Sequence, residues 1–155
     1  MKPQELIVSE FAPVLKDAGF RKQRTTWRRI NTETIFVVNL QKSRWGANFY
    51  INLGVHLRIL EAEPDPAHNV CHLSCRAEAI PEALPVLSLA LDFDRGSNGS
   101  EHERRSAVRA LAHLSLLRLL TCETVAQARA AVSASREPDW QIRVEARDLF
   151  GLPGL

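Results

Sequence analysis

Hydrophobic and polar side chains alternate along two neighbouring segments between residues 34 and 58, with one turn between them. The odd positions of Phe49–Leu57 are apolar, and so are the even positions of Phe36–Leu40. Strict alternation over this length is typical of half-buried β-strands, because successive side chains point to opposite faces of a sheet. The pattern therefore predicts a β-hairpin with one apolar face and one polar face.

The chain reversal of this hairpin is predicted at Trp45-Gly46, and that position sets the register of its two strands. The expected cross-strand pairs are Leu40 with Ile51, Val38 with Leu53, Gln41 with Tyr50 and Asn39 with Asn52. The first strand opens with two apolar residues, Ile35 and Val37, on its otherwise polar face. One face of the hairpin is thus expected to be core and the other to carry amides and a phenol.

Two further strands complete the predicted antiparallel sheet. A segment from Thr25 to Ile30 reads as a strand, although the following turn leaves open whether Trp27 or Arg28 faces the core. Cys71–Ala77 alternates again, which predicts a fourth strand with its cysteines inward and its polar residues outward. The polar face would then collect Asn39, Gln41, Tyr50, Asn52, His56, His72, Ser74 and Arg76.

The remaining segments are predicted to be helical or connecting. Arg21–Arg24 reads as a basic connection, Glu61–Asn69 as a loop and Asp92–Ser100 as a flexible connection. Ser100 with Glu103 three residues later resembles a capping box that opens the longest helix. The other helical segments are about Gln4–Asp17, Pro81–Leu91, Cys122–Ser133 and Asp139–Phe150.

These elements predict an α+β fold: an antiparallel sheet of about four strands, with an N-terminal helix and C-terminal helices packed on one face. A length of 155 residues, with 45% hydrophobic and 25% charged residues, fits one globular domain over residues 1–155. Its sheet-containing part spans about residues 1–77 and its helical part about residues 81–150.

Composition predicts a cytoplasmic protein. The N-terminus does not read as a signal sequence, and no run approaches the roughly 18–20 apolar residues that span a bilayer. Three cysteines without a disulfide-framework spacing fit a reducing compartment. Residues 1–60 carry ten Lys and Arg against four Asp and Glu, which either suits an acidic partner or serves solubility and edge protection.

No metal site or cofactor is predicted. The densest group of ligand-type residues is His68, Cys71, His72 and Cys75. On a strand, the cysteines and His72 would point to opposite faces, and the spacing matches no structural zinc pattern. Phosphate-binding loops, zinc-protease motifs and serine nucleophile elbows are also missing from the sequence.

Several strings in the first half of the chain carry a resemblance to a known family. They are Gly19-Phe20-Arg21-Lys22, Trp27-Arg28-Arg29, Val38-Asn39-Leu40-Gln41-Lys42-Ser43 and Phe49-Tyr50-Ile51-Asn52-Leu53-Gly54-Val55. Over roughly Leu6 to Ala77 the chain resembles the bacterial domain of unknown function 4304 family. The resemblance implies a soluble bacterial α+β domain with no established activity, so it assigns no catalytic residue.

The expected function is that of a non-enzymatic protein-binding module, with an immunity or accessory role, which uses the polar face of the sheet. The residues predicted to bind are Asn39, Gln41, Tyr50, Asn52, His56, His72 and Arg76. The sequence names neither the partner nor the oligomeric state.

The sequence leaves three alternatives open. One is a hydrolase or nucleic-acid-processing enzyme that uses Tyr50, His56, His72 and Arg76, since a histidine beside an arginine can do acid–base work at a phosphate. Another is a single-stranded nucleic-acid binder that stacks bases on the sheet's aromatic residues. In the third, the polar side chains only hydrogen-bond one another beneath a covering helix.

Overall fold

One antiparallel sheet organises the residues that the computed structural model describes, which are 1–94, 99–134 and 139–153. Within them the sheet has six strands, and their spatial order follows the order of the chain. The strands are β1 Arg21–Gln23, β2 Thr26–Ile30, β3 Thr34–Lys42, β4 Phe49–Leu57, β5 Leu73–Arg76 and β6 Gln141–Ile142. The α+β class is confirmed, and the sheet is larger than the four strands predicted.

The helices are α1 Pro3–Asp17, α2 Leu84–Leu91, α3 Glu101–Leu120, α4 Val125–Ala134 and α5 Val144–Phe150. Short 3₁₀ turns lie at His68–Val70, Ala77–Ala79 and Pro81–Ala83. The Ser100 side chain accepts a hydrogen bond of 3.1 Å from the backbone N–H of Glu103, so α3 begins at the predicted cap. None of the described helices is long and apolar enough to cross a membrane.

The central hairpin has the predicted register. Strands β3 and β4 pair Leu40 with Ile51, Val38 with Leu53, Gln41 with Tyr50 and Asn39 with Asn52. On β2, Trp27 pairs with Val38 and is 1% exposed, which settles its position on the core face. The apolar residues of this face form one continuous cluster with residues of each helix named above. The other face of the sheet, which we call the second face, carries the polar positions of β3 and β4.

Both edge strands were missed by the sequence prediction. Residues 21–23 were assigned to a connection, but they pair with β2 through a turn at Arg24, whose φ is 57°. Residues 141–142 were assigned to the last helix, but they pair with β5. Backbone pairing forms both strands, and neither is long enough to show a hydrophobic alternation.

Contacts with α3 explain why the last helix begins later than predicted. The guanidinium of Arg118 lies 4.5 Å from the ring centre of the buried Trp140 and donates a 2.8 Å hydrogen bond to the carbonyl of Asp139. These contacts fix the chain before β6, and α5 starts only at Val144. Part of the predicted 92–100 connection, residues 95–98, lies outside the described residues.

Candidate functional site

The second face of the sheet is divided into a covered part and an open part. Residues 58–72, which we call the covering loop, connect β4 to β5 and lie over one half of this face. Ile35 and Val37 of β3 form a small buried cluster with Cys71 of this loop. Arg28 on β2 fixes the loop by donating a 2.9 Å hydrogen bond from Nε to the carbonyl of the buried Pro66. The apolar start of β3 therefore has a partner, which is this loop.

Gly54 lets the covering loop approach the sheet closely. A Cβ atom at this position would lie 2.6 Å from Sγ and 3.0 Å from Cβ of Cys71. Such distances are below van der Waals contact, so any larger residue would push the loop outwards. The covered part therefore requires glycine at position 54 of β4.

The open part of the second face carries a row of hydrogen-bonded polar side chains across four strands. Thr26, Asn39, Asn52 and Arg76 are direct cross-strand neighbours on β2, β3, β4 and β5, and we call them the polar row. Asn39 Nδ2 donates to Thr26 Oγ1 at 3.0 Å, and Asn52 Nδ2 donates to Asn39 Oδ1 at 3.0 Å and to Gln41 Oε1 at 2.9 Å. Arg76 Nε donates to Asn52 Oδ1 at 3.3 Å. The buried Asn52 therefore lies at the centre of the network.

Tyr50 supports the end of the polar row. Its ring lies beneath the guanidinium of Arg76, with 4.1 Å between the arginine Cζ and the ring centre. This distance is within the range of cation–π attraction. Tyr50 is half-buried while Arg76 remains exposed, so the stacked pair is accessible from solvent.

A cleft of about 620 Å³ opens beside this pair. Gln41, Asn52 and Arg76 contribute to it from the sheet, and His68 and Asn69 contribute from the covering loop. Burial and the positive charge of Arg76 both lower the pKa of His68, in that order of importance. The other lining residues are Leu53, Ser74, Cys75, Glu78, Ala79, Asp139 and Gln141.

A pair of buried histidines lies in the covered part. The ring centres of His56 and His72 are 4.8 Å apart, and the two residues are 1% and 4% exposed. The Leu57 backbone N–H donates a 2.9 Å bond to His72 Nδ1, and His56 Nε2 lies 2.8 Å from the carbonyl of Glu61. The bond from Leu57 makes His72 Nδ1 an acceptor, so the hydrogen of this ring lies on Nε2, while His56 Nε2 donates to the Glu61 carbonyl.

The same histidines and the Glu61 carboxylate bring ligand-type atoms within 4.8 Å of one another. His56 Nδ1 is buried and has no hydrogen-bond partner among the residues that the structure describes. Against metal ligation, Leu57 occupies the lone pair of His72 Nδ1, and a neutral imidazole has no second lone pair. Burial, followed by the nearby His56, lowers the pKa of His72. The geometry therefore favours an uncharged His72 whose contacts, with those of His56, help to hold the loop.

The four ligand-type residues noted in the sequence do not converge. Cys75 faces the core through its pairing with Leu53, whereas Cys71 lies against the second face. The prediction that both cysteines point inward on one strand is wrong for Cys71, because β5 begins only at Leu73 and a 3₁₀ turn precedes it. Burial raises the pKa of Cys71 to about 12 and that of Cys75 to about 11, which disfavours the thiolate that binds metal.

The structure separates the residues predicted to bind. Asn39, Gln41, Tyr50, Asn52 and Arg76 lie together on the open part. His56 lies under the covering loop and His72 is the last residue of that loop; both are buried, so a partner cannot touch them while the loop is in place. Asn52, the cross-strand partner of Arg76, is four positions from His56 along β4, or about 13 Å. The two histidines therefore do not line one open site with Tyr50 and Arg76, as the enzyme hypothesis requires.

The polar row also includes a residue that the sequence did not indicate. Thr26 was overlooked because the register of β2 was open, and it joins the row once Trp27 faces the core. That burial also removes Trp27 from any stacking surface, and Arg76 covers one side of Tyr50. Trp45, at 93% exposure, lies at the hairpin turn and not on the open part. The geometry thus disfavours a base-stacking platform on this face.

Comparison with known proteins adds one finding. A family model described as Domain of unknown function (DUF4304) matches residues 11–109, which include β1 to β5 and part of α3. No significant match was found among curated proteins or solved structures.

Proposed function

This chain belongs to the family described as Domain of unknown function (DUF4304), and we propose that it is a non-enzymatic module that binds a protein partner through the open part of its second face. The contact residues are Gln41, Tyr50 and Arg76, with Asn39 and Asn52 holding them in position. The covered histidines take no part in this contact.

The observation that carries the proposal is the hydrogen-bonded polar row beside an open cleft. Its side chains are oriented by one another and lie on strands, so little conformational entropy is lost when a partner binds. The cleft has the volume of a typical ligand site and displays amide and guanidinium groups. The Tyr50 phenol lies beside it, under Arg76. These groups recognise hydrogen-bonding surfaces well.

A catalytic function of the cleft has less support than a binding function. Ser74 and His68 both line it, but the hydrogen bonds of the described residues include none between them. Nucleophilic catalysis needs the nucleophile and its base within hydrogen-bond reach, with the base oriented by a third group. The geometry of the cleft therefore supports binding more than acyl or phosphoryl transfer.

The proposal includes a bacterial, cytoplasmic setting and an immunity or accessory role. All three cysteines are free thiols, which is compatible with a reducing compartment. As an immunity factor the module would bind one protein and block its action; as an accessory factor it would bind one protein and assist it.

Affinity capture with exposed-site variants tests the proposal. The immobilised chain is incubated with lysate of its source cells, alongside Gln41→Ala and Tyr50→Ala. Arg129→Ala, at an exposed arginine of α4, is the matched control. We expect a protein that the native chain and the control retain and that both second-face variants lose. A protein retained by all four chains, each shown to be folded by thermal denaturation, would contradict the proposed surface.

A further inference from the structure

One edge of the Arg76 guanidinium is fixed and the other is available. Its Nε donates to Asn52, and its plane lies over Tyr50. Within the described residues, neither terminal nitrogen makes a hydrogen bond, and no carboxylate lies within ion-pair distance. The side chain is therefore oriented before any partner arrives.

This combination sets Arg76 apart from the other anchored arginines of the described chain. They direct at least one terminal nitrogen to an oxygen of the protein. Arg29, for example, pairs with Glu123 at 3.1 Å, and Arg104 donates to the carbonyl of Leu89 at 2.6 Å. The others are Arg28, Arg58, Arg105, Arg109, Arg118, Arg143 and Arg147. An oriented guanidinium without such an oxygen is suited to an oxygen supplied from outside.

The partner group that best matches this site is a carboxylate. The planar fork of arginine forms two parallel hydrogen bonds with a carboxylate, and such charge-assisted bonds are about twice as strong as neutral ones. Glu78 and Asp139 also line the cleft, but neither forms an ion pair with Arg76. Their negative charges repel an anion, so the favourable position for an anion in this cleft is beside Arg76.

We propose that Arg76 is the carboxylate-binding residue of this cleft and that it takes an aspartate or glutamate side chain of the protein partner; this rests on the proposed function. A side chain fits better than a chain terminus. Terminal carboxylates are commonly captured by backbone N–H groups, whereas this cleft presents side chains along an open sheet face. The amide of Gln41 lies in the same cleft and is placed to contact the partner's backbone.

Titration of the intact protein with small probes, followed by NMR, tests this inference without knowledge of the partner. The probes are N-acetyl-glutamate N-methylamide, its uncharged glutamine analogue and N-acetyl-alanine, which offers only a terminal carboxylate. We expect the glutamate probe to shift the Arg76 Nε–H and Asn52 side-chain signals to saturation. The glutamine analogue should produce no saturable shift, and N-acetyl-alanine should bind more weakly.

Charge variants make the test specific. Arg76→Lys keeps the charge but loses the planar fork, so we expect the dissociation constant of the glutamate probe, read from the Asn52 signal, to rise about tenfold or more. Glu78→Gln removes a negative charge from the cleft and should leave binding equal or tighter. Arg129→Lys, on an exposed face of α4, should change nothing.

Three results would overturn the inference: no saturable shift with the glutamate probe, equal shifts with the glutamine analogue, or unchanged binding in Arg76→Lys. Tighter binding of N-acetyl-alanine would overturn the assignment to a side chain. If the probe fails while capture still depends on Gln41 and Tyr50, the open part remains the binding surface and only its carboxylate preference is wrong.

Discussion

The ring of Tyr50 lies directly beneath the guanidinium of Arg76, 4.1 Å from Cζ to the ring centre, and the two residues come from neighbouring strands. Tyr50 precedes Asn52 by two positions on β4, so both point to the second face and both contact Arg76. One residue holds the plane of the guanidinium and the other holds its edge. Tyr50 therefore contributes to the binding surface in two ways, because it orients Arg76 and is itself partly exposed.

Two substitutions of Tyr50 should distinguish the contribution of its ring to binding from that of its hydroxyl. Tyr50→Phe keeps the stacking surface, so we expect near-native binding of the glutamate probe. Tyr50→Leu removes it and should weaken binding several-fold, because Arg76 then loses its orientation. The free energy of unfolding should fall by only about 0.5–1 kcal/mol, as for an exposed cation–π pair. NMR titration and urea denaturation give the two values; equal probe binding in both variants would show that the stack has no role.

Removal of Asn52 should destabilise the fold. Asn52→Ala removes three hydrogen bonds of a buried side chain, each worth about 0.5–1.5 kcal/mol, so we expect a loss of about 1–3 kcal/mol in the free energy of unfolding. Gln41→Ala removes an exposed member of the same network and should cost less. Urea denaturation of both variants tests this; an equal or larger loss in Gln41→Ala would mean that Asn52 is not the centre of the network.

A methyl group at Gly54 should displace the covering loop. Because its Cβ would overlap Cys71, we expect Gly54→Ala to cost about 1–3 kcal/mol. It should also speed the reaction of Cys71 with a thiol reagent, since the native thiol is buried. Removing Sγ in the Gly54→Ala/Cys71→Ala double variant should recover part of the loss. Additive losses in the double variant would indicate that the two residues do not compete for space.

Stability should fall in mildly acidic solution. The pKa values of His68 and His72 are lowered in the folded protein, so the unfolded chain binds more protons as the pH falls through about 6.5. Their contribution is fully present above that pH and is lost below it. His72→Asn keeps an acceptor for the Leu57 N–H without titrating, so its stability should depend less on pH. Urea denaturation between about pH 5 and 8 measures this, with the exposed His113→Asn as control. An unchanged pH dependence in His72→Asn would contradict the assignment.

Binding of a carboxylate should raise the pKa of His68. The positive charge of Arg76 is the second cause of its lowering, and a bound anion would neutralise that charge while burial remains. The imidazole signal of His68, followed by NMR with and without the glutamate probe, reports the change. If the Arg76 signal saturates and the His68 titration does not move, the two side chains do not share the occupied site.

The sequence predicted the fold best where two segments of alternating hydrophobic and polar residues were joined by one clear turn. The alternation of β3 and β4, with the reversal at Trp45-Gly46, correctly predicts their register and core face. For β2, the turn between it and β3 left two registers open. β1 and β6 have no apolar periodicity, and only pairing with neighbouring strands forms them.

The division of the second face could be anticipated only in part. Ile35 and Val37 are apolar on a face predicted to be polar, and Gly54 interrupts the side chains opposite them. These features signal close coverage, but composition does not show that residues 58–72 supply it. The path of a loop depends on tertiary contacts, such as the Arg28 bond to Pro66. The hydrogen bonds of the polar row follow from the register, whereas the burial of the histidines follows from the loop.

The central claim is that a protein partner contacts the open part of the second face, and site-specific photo-crosslinking tests it most directly. An Asn69→p-benzoylphenylalanine variant places the photoreactive group at an exposed residue that lines the cleft and leaves the proposed contact residues in place. The same replacement at Arg129 serves as the control. After irradiation in source-cell lysate, the account predicts a discrete adduct from position 69 that excess native chain suppresses, and none from position 129. Absence of an adduct at position 69, or the same adduct from both positions, would contradict it.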